Sequence, residues 1–406
     1  MTETPEQDPA PPVPSSDPGR SVPGTVRPHQ LLASFLRLGV TAFGGPAMVA
    51  TIRTLAVERK SWLSPREFRR GVALCQVIPG ATAMQAAAYV GLRAAGPAGA
   101  LAAFVGFGLP ATALMLALST AYSVTHETVQ VVGVLHGLHA IVVALVANAM
   151  VSFGRSSLHG WRDGFLAGAA AVFLVAGGNP ILAIAGAALA GALLHGADRV
   201  HDGAAGGEAP LVGTWRPVGL LLGLFAASLV ALYFVDPRLF ALATVLARVD
   251  LFAFGGGFAS LPIMLHEVVR VRGWMDTATF MDGIALGQVT PGPIVITATF
   301  VGYQMAGLPG ALVATVAVFS PSFIALVASA PFLDRLERSI LVGRAIRGVL
   351  ASFVGLLAAV LVHLAVTAEW SAASVLIAVA GFVALRLGVN VAWVVLAGLA
   401  ASVVLL

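Results

Sequence analysis

The sequence predicts an all-α polytopic membrane protein built from two homologous repeats of inverted topology. Three observations carry this expectation. The first is composition: 58% of the residues are hydrophobic and only 10% are charged. A soluble domain runs at about 45–50% apolar and about 25% charged, so lipid is the solvent that fits. The second is a series of apolar stretches, most of them long enough for a hydrocarbon core of about 30 Å. The third is an internal repeat at a constant offset of 211 or 212 residues that preserves Gly, Pro, Gln and Arg as well as Leu and Ala.

Residues 1–29 are rich in Pro, Ser and acid and carry no apolar run. Such a segment cannot bury a core and is expected to be a disordered tail. It also lacks the apolar region of a secretory signal, so the first membrane helix is expected to act as its own insertion signal. Thirteen apolar segments follow, at 31–57, 66–94, 97–123, 129–153, 163–177, 180–196, 217–235, 239–265, 276–305, 308–330, 341–365, 371–386 and 389–406. Those at 163–177, 180–196 and 371–386 are short, and read as spans of a thinned bilayer or as half-inserted hairpins. The polar, Gly-rich stretch 197–216 is the natural linker. It separates a first repeat, 30–196, from a second, 217–406, which has an extra leading helix. Membrane β-strands would alternate with a period of two in segments of about 10 residues, and these runs are continuous instead. The 45 glycines suit close helix contacts in lipid, with Gly186, Ala190 and Gly191 forming one such surface. The single cysteine, Cys75, allows no intrachain disulfide and reads as a small buried residue. The 23 basic residues form no stripe interleaved with aromatics, which excludes a nucleic-acid partner.

The repeat is specific. Arg37 and Arg248 each stand seven residues before a Gly-Gly pair, Gly44-Gly45 and Gly255-Gly256. A Trp and a Phe follow in both copies (Trp62 and Phe68, Trp274 and Phe280). Next come ALCQVIPGA at 73–81 and ALGQVTPGP at 285–293, then Val-Gly, Gly and Pro in the same order. Seven segments separate the two starts. An odd number makes the copies antiparallel, and inverted repeats are a transporter signature with the site at their midplane interface. Loop charge leaves the orientation open. If every segment spans, the N-terminal side collects 14 Lys/Arg against 7, which places the tail in the cytoplasm. The same count puts the basic 53–70 loop outside, unless a segment is re-entrant.

The Gly-Gly and Pro-Gly pairs interrupt apolar segments at matching places. Broken helices in lipid must sit inside protein or line a wet cavity, and paired breaks point to a transporter site. Each half-helix that starts after a break offers free N–H groups and a dipole that favour an anion. Thr82 and Thr290 add hydroxyls, and Gln76 and Gln288 add amide donors. A tetrahedral dianion matches such a cage. Arg37 and Arg248 are charges inside apolar segments and so are functional candidates, although Arg37 also reads as a side chain that snorkels to the interface. Asp250 is placed to neutralise Arg248, to take up a proton for coupling, or to form a structural ion pair. His136 and His139 share a helix face without a third ligand, so packing or an interfacial role is expected and no metal site. Glu58, Glu267 and Asp282 lie near segment ends and are expected in solvent. No catalytic motif is visible, so no enzyme and no cofactor are expected.

FGGPAMVA (43–50) and CQVIPGATAMQ (75–85) in the first half, with FAFGGGFASLPIM (252–264) and DGIALGQVTPGPIVITATFVGY (282–303) in the second, resemble the chromate ion transporter family of the long, fused type. The resemblance spans about residues 31–406. It implies a multi-pass plasma-membrane exporter of chromate, with halves of inverted topology. It carries Gly44, Gly45, Pro46, Gln76, Pro79 and Gly80 over as site residues of the first half. In the second half these are Gly255, Gly256, Gly257, Gln288, Thr290, Pro291, Gly292 and Pro293. One departure is Ala81, where the family tends to a second Pro; it suggests that the second half holds more of the site. Sulfate has the same shape and charge as chromate and is the alternative substrate. A membrane scaffold without transport of its own is the alternative of another class. The sequence also admits a homodimer.

Overall fold

The computed structural model describes residues 26–42, 45–125, 129–195, 215–332 and 339–405. The expected tail up to residue 25, most of the 197–216 linker and Gly44 lie outside the described residues. Among them there are fifteen α-helices and no strand. The first repeat holds α1 (Pro28–Thr41), α2 (Gly45–Arg53, extended by a π-turn to Arg59), α3 (Pro65–Val77), α4 (Thr82–Thr125), α5 (Val129–Ser157), α6 (Trp161–Val175) and α7 (Pro180–Leu194). After the extra helix α8 (Trp215–Val235) the second repeat gives α9 (Pro237–Phe252), α10 (Ser260–Leu265, extended to Val271), α11 (Thr277–Val289), α12 (Thr297–Ser329), α13 (Ile340–Thr367), α14 (Ala372–Arg386) and α15 (Val391–Leu405). Local sequence sets many starts. Pro opens α1, α3, α7 and α9, where its missing N–H costs nothing. Ser64, Asn179, Asp236 and Asp276 accept a backbone N–H as N-caps of α3, α7, α9 and α11. Five helical stretches are long and apolar enough to cross a membrane: Thr82–Thr125, Leu135–Ser157, Trp215–Val235, Ile294–Phe332 and Ile340–Thr367.

Four of the thirteen expected segments fold back on themselves instead of running through. In segment 66–94, a β-carbon on Gly71 of α3 would lie 2.2 Å from the Tyr89 ring of α4. In one straight helix these residues would stand about 27 Å apart. Arg93 and Glu67, at 2.9 Å, tie together the open ends of this hairpin. Segment 276–305 repeats the arrangement, with Gly283 of α11 against Phe300 of α12. Phe35 of α1 stacks on Trp62 beyond α2, and Arg248 of α9 meets Glu267 beyond α10, so segments 31–57 and 239–265 turn back too. α4 and α12 each bend sharply, at Ala95–Gly96 and Ala306–Gly307. A short arm of each then packs along a long one, with Gly91 on the Gly99 carbonyl and Gly302 on that of Gly310. Only glycine allows backbones so close. The helices leading into each break span 13 to 16 residues in α1, α3, α9 and α11, about two thirds to four fifths of a 30 Å core at 1.5 Å per residue.

The hairpins of the two repeats enter from opposite ends. α1 runs parallel to the long arm of α4, with Leu31 beside Gly99, Leu32 beside Gly106 and Gly39 beside Phe107. The far end of that arm brings Tyr122 to Asp282 and Phe300 in the α11–α12 hairpin. The repeats are therefore inverted, and their breaks meet tip to tip at mid-depth. The long arm of α4, with α5 and α8, makes the number of crossings odd whether α6 and α7 span fully or form a half-inserted pair. The halves also interlock: α5 packs on α14 and α15, while α13 packs on α6 and α7. Gly348 and Gly355 of α13 let the Ala187 and Ala167 carbonyls approach closely. Of the expected small-residue surface, Gly191 makes such a contact with Gly348, whereas Gly186 faces open space.

Re-entrance removes the conflict in the loop charges. The 53–70 loop with its six cations, and Arg93, Arg155, Arg162, Arg344, Arg347 and Arg386, lie at the end where α1 begins. Arg238, Arg270 and Arg272 lie at the other.

Candidate functional site

Each break ends a helix by leaving helical geometry, in extended backbone at Ala42, Ile78 and Thr290 and with ψ of 66° at Ala253. The first repeat's breaks then bond to those of the second. Gly80 donates its N–H to the Ala253 carbonyl and Gly292 donates its N–H to the Ala42 carbonyl, both at 2.9 Å. This pair of bonds obeys the internal symmetry. Gly80 and Gly292 have φ of +118° and +125°, which a side chain rarely tolerates. A β-carbon on Gly80 would also lie 2.2 Å from the Ser322 β-carbon, and one on Gly292 would lie 2.8 Å from that of Ala111.

A cavity of about 540 Å³ opens beside the tips. Both repeats line it, with Gln76, Ala81, Thr82 and Ala83 from one side and Gly255, Gly256, Gly257, Gln288, Thr290, Gly292, Pro293 and Ile294 from the other. Ala81–Ala83 and Ile294 are the starts of half-helices, where N–H groups have no intrahelical partner. The Gln288 amide nitrogen is buried at the cavity without a hydrogen-bond partner, so a donor waits there for an acceptor. Among the described residues, no charged side chain lines the cavity. Val72, Ser156, Ser157, Val391 and Ala392 extend its wall toward the end that holds the basic loops.

Several expected residues stand elsewhere. Arg37 is exposed on α1, and Arg248 pairs with Glu267 at 3.8 Å rather than with Asp250. Both point away because their helix face meets the surface, not the tips. Asp250 is fully buried behind Gly80 and accepts the Ser322 N–H at 2.7 Å. Pro321 interrupts α12 one residue earlier, and the carboxylate caps the amide there. Pro79, Gly80 and Pro291 form the turns just behind the lining, and the Gly80 and Gly292 N–H groups are spent on the cross-bonds. Thr290 donates its hydroxyl to the Leu286 and Gly287 carbonyls, so it is no free donor. Gly45 and Pro46 begin α2, whose Met48 and Val49 touch the cavity. Glu58 is exposed as expected, but Glu267 and Asp282 are buried. They sit inside because α10 and α11 fold back into the protein. Gln85 was not expected in the site. It is fully buried and donates to the Pro79 carbonyl at 2.6 Å, which holds the first tip in shape. A lone Gln in an apolar run was the signal for it.

A family model described as chromate transporter matches residues 29–192 and again 240–403. An uncharacterized transporter of Methanocaldococcus jannaschii is 41% identical over 372 residues, covering 91% of this chain and 92% of its own. The chromate transport protein of Pseudomonas aeruginosa is 34% identical over 86% of this chain and 84% of its own length. That of Cupriavidus metallidurans is 32% identical over 83% and 82%. No solved structure matches the chain. The two matched stretches coincide with the two inverted repeats, and the chain belongs to the chromate transporter family, as a multi-pass membrane transporter of two repeats.

Proposed function

We propose that the protein exports chromate across the plasma membrane by alternating access at the cavity between the break tips. The observation that carries this reading is the cavity itself, where half-helix starts and the unpartnered Gln288 amide from opposed repeats converge without a charged side chain. Backbone N–H groups and amides bind a tetrahedral dianion through hydrogen bonds and the helix dipole. Without a cation in the wall the anion is released as readily as it enters. Two relatives named as chromate transport proteins support chromate as the substrate.

The direction follows from charge. Loops rich in Lys and Arg stay in the cytoplasm, so the N-terminal end and the cavity mouth face inward. A dianion leaving a negative interior gains about 2.3 kcal/mol per charge for each 100 mV. The cross-bonded tips close the path beyond the cavity, and they must part for the anion to pass.

The test is chromate flux into and out of liposomes, with sulfate as competitor. Gln288→Ala is expected to raise the half-saturating chromate concentration about tenfold or more, the scale of one hydrogen bond to a charged group. Flux that is absent, or unchanged in Gln288→Ala, would overturn the reading; a preference for sulfate would change its substrate.

A further inference from the structure

Asp282 lies on α11, six residues before Gln288, or about 9 Å along the same helix. It is buried in the second repeat, yet both its partners come from the first. The Tyr122 hydroxyl donates to one carboxylate oxygen at 2.8 Å, and His139 Nε2 lies 2.7 Å from the other. His136 stands one turn earlier on α5, its ring centroid 6.3 Å from that of His139, a separation of the size that a single water can bridge. His136 Nε2 in turn lies 3.7 Å from Glu369, between α13 and α14. Side-chain exposure falls along this series, from 80% at Glu369 to 38% at His136, 10% at His139 and 6% at Asp282. The series therefore leads from the surface to a buried carboxylate, and it starts at the end opposite the cavity mouth. Among the described residues, the other titratable groups on this end of the elements around α11 are Asp276 on its own N-cap, Tyr303 of α12, and His363 of α13, which is bonded to the Thr277 hydroxyl. α15 carries none.

We infer that Asp282, His139 and Tyr122 form a proton-binding site, fed from the outer face through Glu369 and His136, that couples proton uptake to movement of α11. The inference rests on the transport reading above. A proton that reaches Glu369 passes to the His136 ring, then to the His139 ring, and neutralises the Asp282 carboxylate. Each imidazole returns to its neutral form, so one proton enters and one is held. Ionised Asp282 accepts charge-assisted hydrogen bonds from both partners, and these clamp α11 to the first repeat. Neutral Asp282 keeps weaker bonds, which frees α11 and the Gln288 tip to move. A merely structural clasp has no need of a graded path to the surface.

The experiment loads liposomes bearing the protein with chromate and a pH-sensitive dye. It compares flux under an imposed pH difference with chromate exchange at equal pH. For the unaltered protein the pH difference is expected to change flux at least threefold, and the dye is expected to report proton movement only when chromate is present. In Asp282→Asn the ratio of the two fluxes is expected to fall to one. His136→Ala, at a half-exposed position that tolerates change, is expected to slow chromate-dependent proton movement at least threefold with an unchanged melting temperature. Flux of the unaltered protein that ignores the pH difference overturns the inference and leaves the transport reading intact, as does an Asp282→Asn or His136→Ala protein that responds like the parent. Absence of chromate flux under every condition overturns both.

Discussion

At the scale of single residues, the tips depend on backbone shapes that few side chains tolerate. Gly80→Ala is expected to lose about 1–3 kcal/mol through its φ alone, and more through its contact with Ser322. Gly96→Ala also has a positive φ but meets nothing within 4 Å, so its loss is expected to stay at the backbone strain of about 1–3 kcal/mol. Melting temperatures of the two variants in detergent check the order. Arg37→Gln, on an exposed side chain, is expected to leave chromate flux within about twofold, since such surface charges contribute about 0–1 kcal/mol. Which residues stand at the cavity and its turns was legible in part. Gln76, Gln288, the glycines and the prolines stood out because polar and helix-breaking residues are rare in apolar runs. Asp282 and His139 did not, because they lie 143 positions apart and an acid near a segment end looks solvated. Arg248 misled for a related reason: its seven-residue spacing from the glycines does not say which way its helix face turns.

At the scale of helices, the short hairpins make the site. A broken helix that continued across the bilayer would offer one start of N–H groups on each path. Folding back puts a C-terminus and an N-terminus side by side, and the free carbonyl of one repeat accepts the free N–H of the other. The hairpins in turn need glycine at their crossings. Gly91→Val would drive a branched side chain into the Gly99 carbonyl, 2.1 Å from the added β-carbon. This is expected to abolish folded protein in detergent. Gly164→Val on α6 meets nothing within 4 Å and is expected to change stability by less than about 1 kcal/mol. Size-exclusion recovery of the two proteins checks this. The break positions were readable from Pro and Gly. That the arms turn back was not, because hydropathy has no sign for direction.

For the whole molecule, inversion and re-entrance together place the long basic loop at the end where α1 begins. With Cys75 replaced, Lys60→Cys is expected to react only with a membrane-permeant thiol reagent in intact cells, and Val271→Cys also with an impermeant one. The opposite pattern would reverse the topology and overturn the inward-facing cavity proposed above. Among the described residues, five stretches are long and apolar enough to span. The most peripheral, α8, leaves most of its large apolar side chains exposed, as a helix facing lipid does. It also supplies the crossing that inverts the second repeat.

The sequence by itself determined the solvent, the duplication and the places where helices break. Composition, periodicity and the chemistry of Gly and Pro act locally, and each leaves a mark that can be read residue by residue. Only the tertiary structure decided that the breaks are hairpin tips bonded to each other across the repeats, that the arginines stand aside, and that Asp282 meets Tyr122 and His139. Those contacts join residues far apart in the chain, and they follow from how two interlocked halves share the room at mid-depth.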